Sequence, residues 1–188
     1  MMFAKLGRAF ALALVLVLGT SNSLLSHALP GTIVTLVQNE NELSIAIEVN
    51  LEDLIIAEPA LEPLETMANG ALMPQELTEA LAHYFNSHMK LSHEGANIFL
   101  ALKKAHLGTK HDDHVGQYAL LTLKFLGELE GNAPVKAMTL KYDAVLHEVR
   151  SHRAFVFWAD ASAGNRLLAQ IRFRTADSQP APIALNIP

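Results

Sequence analysis

The chain has 188 residues, enough for one domain and a targeting segment, and 51% of them are apolar. It contains no cysteine, which excludes disulfides, thiolate metal sites and cysteine nucleophiles. Beyond residue 28 there are 12 basic and 19 acidic side chains, a net charge of −7 with neutral histidines. This acidic balance argues against a nucleic acid partner and against binding to anionic membrane surfaces.

Residues 1–28 have the pattern of a secretory signal peptide. Lys5 and Arg8 precede an apolar run over residues 9–19, and small residues then lead to a cleavage position after Ala28. The run has about half of the ~20 apolar residues that a membrane span needs, which favours cleavage over an uncleaved anchor. We therefore expect an exported, periplasmic protein whose mature chain does not cross the membrane.

The rest of the chain is divided into short segments by Gly and Pro, which suits a protein of many strands. Alternating or β-branched residues predict the strands 31–37, 43–49, 118–126, 136–149, 152–158 and 167–174. A further hairpin is predicted to turn near Glu94 and Gly95. Residues 58–73 are predicted to form a surface connection with one helical turn, and residues 109–117 a polar loop.

One amphipathic helix is predicted after Pro74, and its buried face is formed by Leu77, Leu81, Tyr84, Phe85 and His88. About eight strands with one covering helix favour a mainly antiparallel β-sandwich, Ig-like or jelly-roll-like, over residues 29–175. Residues 176–188 are predicted to be a Pro-rich tail.

The longest predicted strand, 136–149, carries a group of polar residues. Alternation places Asp143 and His147 on one face, about 13 Å apart along the strand. A tight turn at 150–151 would bring His152 diagonally opposite His147, where neighbours lie about 7–8 Å apart. Two imidazoles in that arrangement could bind a metal with a third ligand from elsewhere, or bond to backbone as part of the hairpin.

The letters HEVRSH at 147–152 are one residue longer than the HExxH of zinc metalloproteases, which needs both histidines on one helix face. Five residues turn a helix by about 500°, so the two rings would diverge by ~140°. The flanking pattern is also that of a strand, and the segment does not predict a metalloprotease. Because no nucleophile elbow or nucleotide-binding glycine motif is present either, we expect a protein that is not an enzyme.

The same segment resembles the YD-x-x-x-H-x-V-x-x-H-x-x-x-V pattern in the exported N-terminal region of HupE/UreJ-type membrane proteins. The opening strand pair and the L-x-x-L that follows it also look like that region, so the resemblance covers most of residues 29–160. It is most specific at Tyr142, Asp143, His147, Val149 and His152. Members of this family typically continue into transmembrane helices associated with uptake of nickel or another metal. The resemblance implies an accessory domain that works with a membrane permease.

A second group of metal-ligand residue types lies in the predicted loop, at His106, His111, Asp112, Asp113 and His114. Imidazole and carboxylate together suit Ni, Cu or Zn, although acidic loops with histidines are usually only solvated. His83, His88 and His93 are spaced by five and do not form one site on a straight helix.

Two functions therefore stay open. One is an exported binding domain that handles nickel or another divalent metal together with a membrane permease. The other is a protein–protein interaction domain that docks on a membrane partner without a metal. In the second case Tyr142, Asp143, His147 and His152 would be structural.

Overall fold

The computed structural model describes residues 30–131, 133–160, 164–172 and 181–187, so the predicted signal peptide lies outside the described residues. The first sheet has six strands in the order β5 (Leu100–Asp112), β6 (Gly116–Glu128), β2 (Glu42–Asn50), β1 (Thr32–Asn39), β8 (Arg153–Asp160) and β9 (Gly164–Arg172). The second sheet has four strands in the order β10 (Ile183–Asn186), β7 (Ala137–Tyr142), β3 (Met89–His93) and β4 (Ala96–Ile98). The predicted mainly β, sandwich-like class is confirmed.

Among the described residues, all strand pairs are antiparallel except β1 and β8, which pair in parallel inside the six-stranded sheet. Because a parallel pair cannot be joined by a tight turn, the chain must cross over between these two strands. That crossover contains all the other described elements except β9 and β10.

One hydrophobic core lies between the sheets and the helices. The predicted alternation is confirmed in β2, where Leu43, Ile45, Ile47 and Val49 are all fully buried. The inner face of β6 contributes Leu121, Leu123 and Phe125, and the second sheet contributes residues such as Met89, Leu91, Met138 and Leu140. Apolar residues of both sheets thus share a single core, and the free energy of their burial holds the layers together.

Three helical segments in the described part of the chain pack on this core: α1 (Leu51–Ala57), a 3₁₀ helix (Pro59–Thr66) and α2 (Gln75–His88). The predicted helix is confirmed as α2, which buries Leu81, Tyr84 and Phe85. The helical turn predicted within 58–73 is present as the 3₁₀ helix, but the surface position was wrong for this first half, because Leu61 and Leu64 are fully buried. The helix α1 was not predicted.

Two other predictions about the strands were wrong. The strand predicted at 136–149 ends at Tyr142, and β8 then joins the other sheet, so 136–149 and 152–158 do not form a hairpin. The loop predicted at 109–117 is mostly strand, because β5 and β6 continue to a turn between Asp112 and Gly116. The polar sequence there is that of a hairpin whose end extends beyond the core.

Part of the predicted tail is ordered in a strand. Residues 183–186 form β10, which pairs with β7. Leu185 is fully buried and Ile187 is nearly so. Nothing in the described part of the chain is a helix long and apolar enough to span a membrane.

Candidate functional site

The motif segment forms the link between the two sheets. After β7 the chain turns through residues 143–151, where the amide of His147 donates to the carbonyl of Asp143 (3.1 Å) and that of Val149 to Val145 (2.9 Å). These helix-like bonds replace the extended strand that was predicted. Val145 is fully buried and has φ = 65°, an uncommon conformation for a β-branched residue. The segment therefore holds local strain that surrounding contacts must stabilise.

His152, at the end of this link, is buried with 3% of its surface exposed. Its Nδ1 lies 2.6 Å from Oδ2 of Asp53, and its Nε2 lies 2.8 Å from the hydroxyl of Thr32 and 3.2 Å from the amide nitrogen of Thr32. Since the Thr32 amide can only donate, Nε2 accepts, and the proton is assigned to Nδ1, which donates to Asp53. We call Thr32, Asp53 and His152 the His152 node.

Asn50 holds the carboxylate of the His152 node in place. Its side chain caps α1 by accepting from the amide of Asp53 (2.8 Å), while its Nδ2 donates to Oδ2 of Asp53 (3.0 Å) and to the carbonyl of Pro30 (2.9 Å). An Asn cap of this kind satisfies an otherwise unpaired amide of the first helical turn. The node thus joins the start of β1, the start of α1 and the start of β8.

Tyr142 lies beside the His152 node at the end of β7. Its hydroxyl is buried next to the hydroxyl of Thr32 but forms no hydrogen bond of normal geometry among the described residues. Burial, more than any other cause, raises the pKa of Tyr142 above its ordinary value of 10. Tyr142 is buried in the hydrophobic core, so this part of the motif has almost no contact with solvent.

The other motif residues meet the end of α2. Nδ1 of His88 lies 2.9 Å from Oδ1 of Asp143, and the amide of Asp143 donates to the carbonyl of His88 (3.0 Å). The rings of His88 and His147 are stacked, with centroids 4.3 Å apart and an angle of 13° between their planes. About a quarter of each side chain is exposed. We call His88 and His147 the imidazole pair.

Tyr84 connects the imidazole pair to the strained backbone. Its hydroxyl accepts from the amide of Val145 (2.8 Å) and lies 3.2 Å from Nε2 of His147. Burial, followed by the nearby carboxylates, raises the pKa of Tyr84, so the phenol stays protonated and can donate to Nε2. This contact favours neutral His147.

The protonation of His147 is disfavoured in the fold. Burial lowers its pKa below the ordinary 6.5, and the neighbouring imidazole of His88 adds to this effect. Asp143 and Glu148 act in the opposite direction without overcoming it. Neutral His147 is therefore favoured in the fold, where it stacks on His88.

The second group of candidate ligands lies at the end of the β5–β6 hairpin, residues 106–118. Alternation along β5 directs His106 and His111 to opposite faces, about 16 Å apart along the strand. Oδ1 of Asp112 accepts from the amides of His114 (2.8 Å) and Val115 (3.3 Å). These bonds, the first of them most strongly, lower the pKa of Asp112. Asp112 thus has a role in the turn itself.

Asp113 is almost fully exposed, and its carboxylate lies 3.8 Å from Nε2 of His111. Across the described ranges, no three His, Asp or Glu side chains come together in an arrangement that could hold a metal ion. His83 and His93 stay apart from His88: His83 is exposed on α2, and Nδ1 of His93 bonds to the carbonyl of Ala137.

The sequence interpretation missed the partners of the motif: Thr32, Asn50, Asp53, Tyr84 and His88. One signal was present, because Asn50 followed three residues later by Asp53 is a typical start of a helix. No comparable signal pairs His152 with Asp53, since they lie 99 positions apart. His88 was predicted on the buried face of the helix, and the structure adds its contacts with Asp143 and His147.

Asp53, His152 and Thr32 follow the order of carboxylate, imidazole and hydroxyl that hydrolases use for nucleophilic catalysis. Thr32 is fully buried, however, and its amide also occupies Nε2 of His152. In the fold this hydroxyl is therefore enclosed, and its contact with His152 links the start of β1 to the start of β8.

The fold is that of a small, mainly β domain. The motif side chains bond to, or pack on, other residues of this domain. No known protein family matches the chain, and no curated protein matches it.

Proposed function

We propose that this chain is an exported, non-enzymatic interaction domain that docks on a membrane protein, and that Tyr142, Asp143, His147 and His152 are structural. The observation that supports this best is the His152 node. His152 is buried, and both of its ring nitrogens already have partners within the fold. A ligand to an exchangeable metal needs a free ring nitrogen that the metal can reach.

The geometry at Asp143 and His147 agrees with a structural role. Asp143 contacts the ring of His88, the last residue of α2. His147 stacks on the same ring and contacts the hydroxyl of Tyr84. These contacts, with the hydrogen bond from the amide of Val145 to Tyr84, hold the strained turn at Val145 against the helix. In this proposal the motif residues stabilise the connection from β7 in one sheet to β8 in the other.

A membrane partner is supported by the resemblance to the exported region of HupE/UreJ-type proteins and by the predicted signal peptide. In this proposal, any handling of nickel or another divalent cation belongs to the partner permease. The domain contributes a binding surface, and catalysis is not part of its role.

Binding to vesicles made from membranes of the source cells tests this proposal. We expect saturable binding of the purified protein that is lost when the vesicles are first treated with protease, because the partner is a protein. Vesicles of the extracted lipids alone serve as the control. Binding that survives protease treatment, or that equals binding to the lipid control, would contradict a protein partner.

A further inference from the structure

A groove lies where the chain passes from β4 of the four-stranded sheet to β5 of the six-stranded sheet. It encloses about 540 Å³, which is within the range of ordinary binding sites in proteins. Apolar and acidic side chains line it together. We call it the Phe99 groove, and the following lining residues determine its character: Glu42, Phe99, Ala101, Leu126, Glu128 and Glu130.

The fold holds the ring of Phe99 out in solvent, where 82% of the residue is exposed. A Cβ atom at Gly127 would lie 2.5 Å from Cγ2 of Ile98 and 3.2 Å from the carbonyl oxygen of Phe99, so this segment lies directly on the backbone of β6. The next residue, Leu100, is buried. Because successive side chains of an extended segment point to opposite sides, the ring of Phe99 points away from the core.

Two carboxylates lie beside this ring in one row across the sheet. Leu100 pairs with Gly127, so Phe99 lies next to Glu128. Glu128 in turn pairs with Glu42 of β2. Like charges directly opposite each other on neighbouring strands are destabilising, and within the described ranges neither carboxylate forms an ion pair. The row therefore presents an aromatic ring and two negative charges that lack a counter-charge in this part of the fold.

The lysines on the same side of the sheet do not neutralise this row. Lys104 and Lys124 pair with each other, and Lys124 is four residues from Glu128, about 13 Å along β6. This distance exceeds the Debye length of about 8 Å at physiological ionic strength. Lys103 lines the groove, but Glu130 lines it as well, so three carboxylates face one amine there. The groove as a whole favours a positively charged partner.

The next row toward the middle of the sheet is apolar. Ala101 pairs with Leu126, and both side chains are partly exposed in the groove. Rows on one face of a sheet are two residues apart, or about 6.6 Å. In an extended partner segment, side chains two positions apart have the same spacing and point the same way. A positive side chain and an apolar side chain with this separation would match the two rows.

Side chains, more than added backbone hydrogen bonds, determine what this groove can bind. The strand β4 has three residues, and β5 is bulged between Leu102 and Lys104. Short and bulged edge strands resist pairing with a further strand. A positive side chain, in contrast, gains a cation–π contact with Phe99 and charge-assisted hydrogen bonds to the two carboxylates.

We propose that the Phe99 groove binds a lysine or arginine side chain of an extended protein segment that carries an apolar residue two positions away. The bound cation would relieve the repulsion between Glu42 and Glu128, and the apolar residue would cover Leu126. The segment belongs to the membrane partner, and this assignment of its source rests on the proposed docking function. The chemistry of the groove itself does not depend on that function.

The test is a fluorescence anisotropy titration of the purified parent protein with a labelled peptide of three Lys-Ser-Leu-Ser repeats. Peptides of three Glu-Ser-Leu-Ser repeats and three Lys-Ser-Ser-Ser repeats are the controls for charge and for the apolar contact. We expect saturable binding of the first peptide with a dissociation constant below about 1 mM, and binding at least tenfold weaker for both controls.

Two variants locate the binding. Phe99→Ser should raise the dissociation constant at least fivefold, and the double variant Glu42→Gln with Glu128→Gln at least tenfold. All three side chains are at least partly exposed, and removal of the like charges should leave the melting temperature unchanged or higher, so unfolding would not explain the loss. Leu72→Ser and Glu76→Gln are the matched controls, because they change exposed residues outside the groove and should bind like the parent.

A parent protein that does not bind the Lys-Ser-Leu-Ser peptide at about 1 mM would overturn the proposal, and so would variants that bind as the parent does. Equal binding of the Lys-Ser-Ser-Ser peptide would assign the surface to general charge attraction and equally overturn the groove. Membranes are absent from this titration, so its failure is distinct from a failure of docking, which the vesicle measurement reports.

Discussion

The two groups of histidines in this chain have the same residue types but opposite surroundings. His152 is buried and hydrogen-bonded on both ring nitrogens, while the histidines at the end of the β5–β6 hairpin are exposed. The difference arises from where the chain places them. One lies at the junction of three elements, and the others lie on a hairpin where their side chains face solvent. Metal-ligand residue types by themselves do not distinguish these cases.

The largest effect is expected from His152→Ala. The substitution leaves Asp53 without its imidazole partner and the Thr32 amide without an acceptor, in a site with almost no access to water. Loss of such a buried network costs about 3 kcal/mol of the free energy of unfolding, which is roughly 6–12 °C in melting temperature for a domain of this size. Thermal melts followed by circular dichroism measure it.

His114→Ala is the matched control for that variant, because it removes an exposed histidine from the hairpin. If both variants melted at the temperature of the parent protein, the node would have no structural role and the contrast between the two regions would fail.

A smaller loss is expected from Tyr84→Phe. The amide of Val145 would lose its acceptor, and His147 would lose the hydroxyl at Nε2. An unsatisfied buried amide costs about 1–3 kcal/mol, which chemical denaturation can measure. Tyr118→Phe removes a hydroxyl from a partly exposed position on β6 and should change the free energy of unfolding by less than about 0.5 kcal/mol. Equal effects of the two variants would argue that the hydrogen bond between Tyr84 and the amide of Val145 does not stabilise the fold.

Stability should depend on pH through His147. The pKa of His147 is lowered in the fold by burial and by His88, whereas in the unfolded chain it is close to 6.5. Between these two values the unfolded chain binds more protons, so the free energy of unfolding falls as the pH decreases through that window. Above pH 6.5 His147 is mostly neutral in both states, so the free energy of unfolding no longer falls through this residue.

Denaturation of the parent and of His147→Gln between about pH 5 and 8 measures this dependence. The glutamine variant does not titrate, so its stability should fall less steeply in acid. A variant whose acid dependence equals that of the parent would show that another group is responsible.

The smallest effect is expected at the hairpin. Replacing His106 with Ala, or His106 together with His111, should change the free energy of unfolding by no more than about 0.5 kcal/mol, because both side chains are exposed. Differential scanning calorimetry resolves such a change. A loss comparable to that of His152→Ala would mean that the hairpin histidines have buried partners in solution.

The sequence predicted the parts of the fold that local patterns determine. The alternation in β2 and β6 and the amphipathic face of α2 were sufficient to place their buried residues. The end of β7 was not predictable in this way, because Ala144, Val145 and Leu146 are buried in a turn and continue the apolar pattern of the strand. Tertiary contacts there, including the positive φ of Val145, override the pattern.

The candidate site was predictable only in its motif residues. His152 reaches Asp53 across the crossover between β1 and β8, and His88 reaches His147 because α2 ends beside the turn. Such contacts depend on topology, and spacing along the chain carries no information about them. Asn50 and Asp53 are the exception, since a helix cap is a local signal.

Thermal denaturation of the parent protein and of His152→Ala, each with a chelator and with excess Ni, Cu or Zn, tests the structural role of the motif most directly. If the motif is structural, the variant melts roughly 6–12 °C below the parent in every condition, and the metal shifts neither protein. The account would be contradicted by a metal that raises the melting temperature of the parent and not of the variant, while the two proteins are equally stable with the chelator.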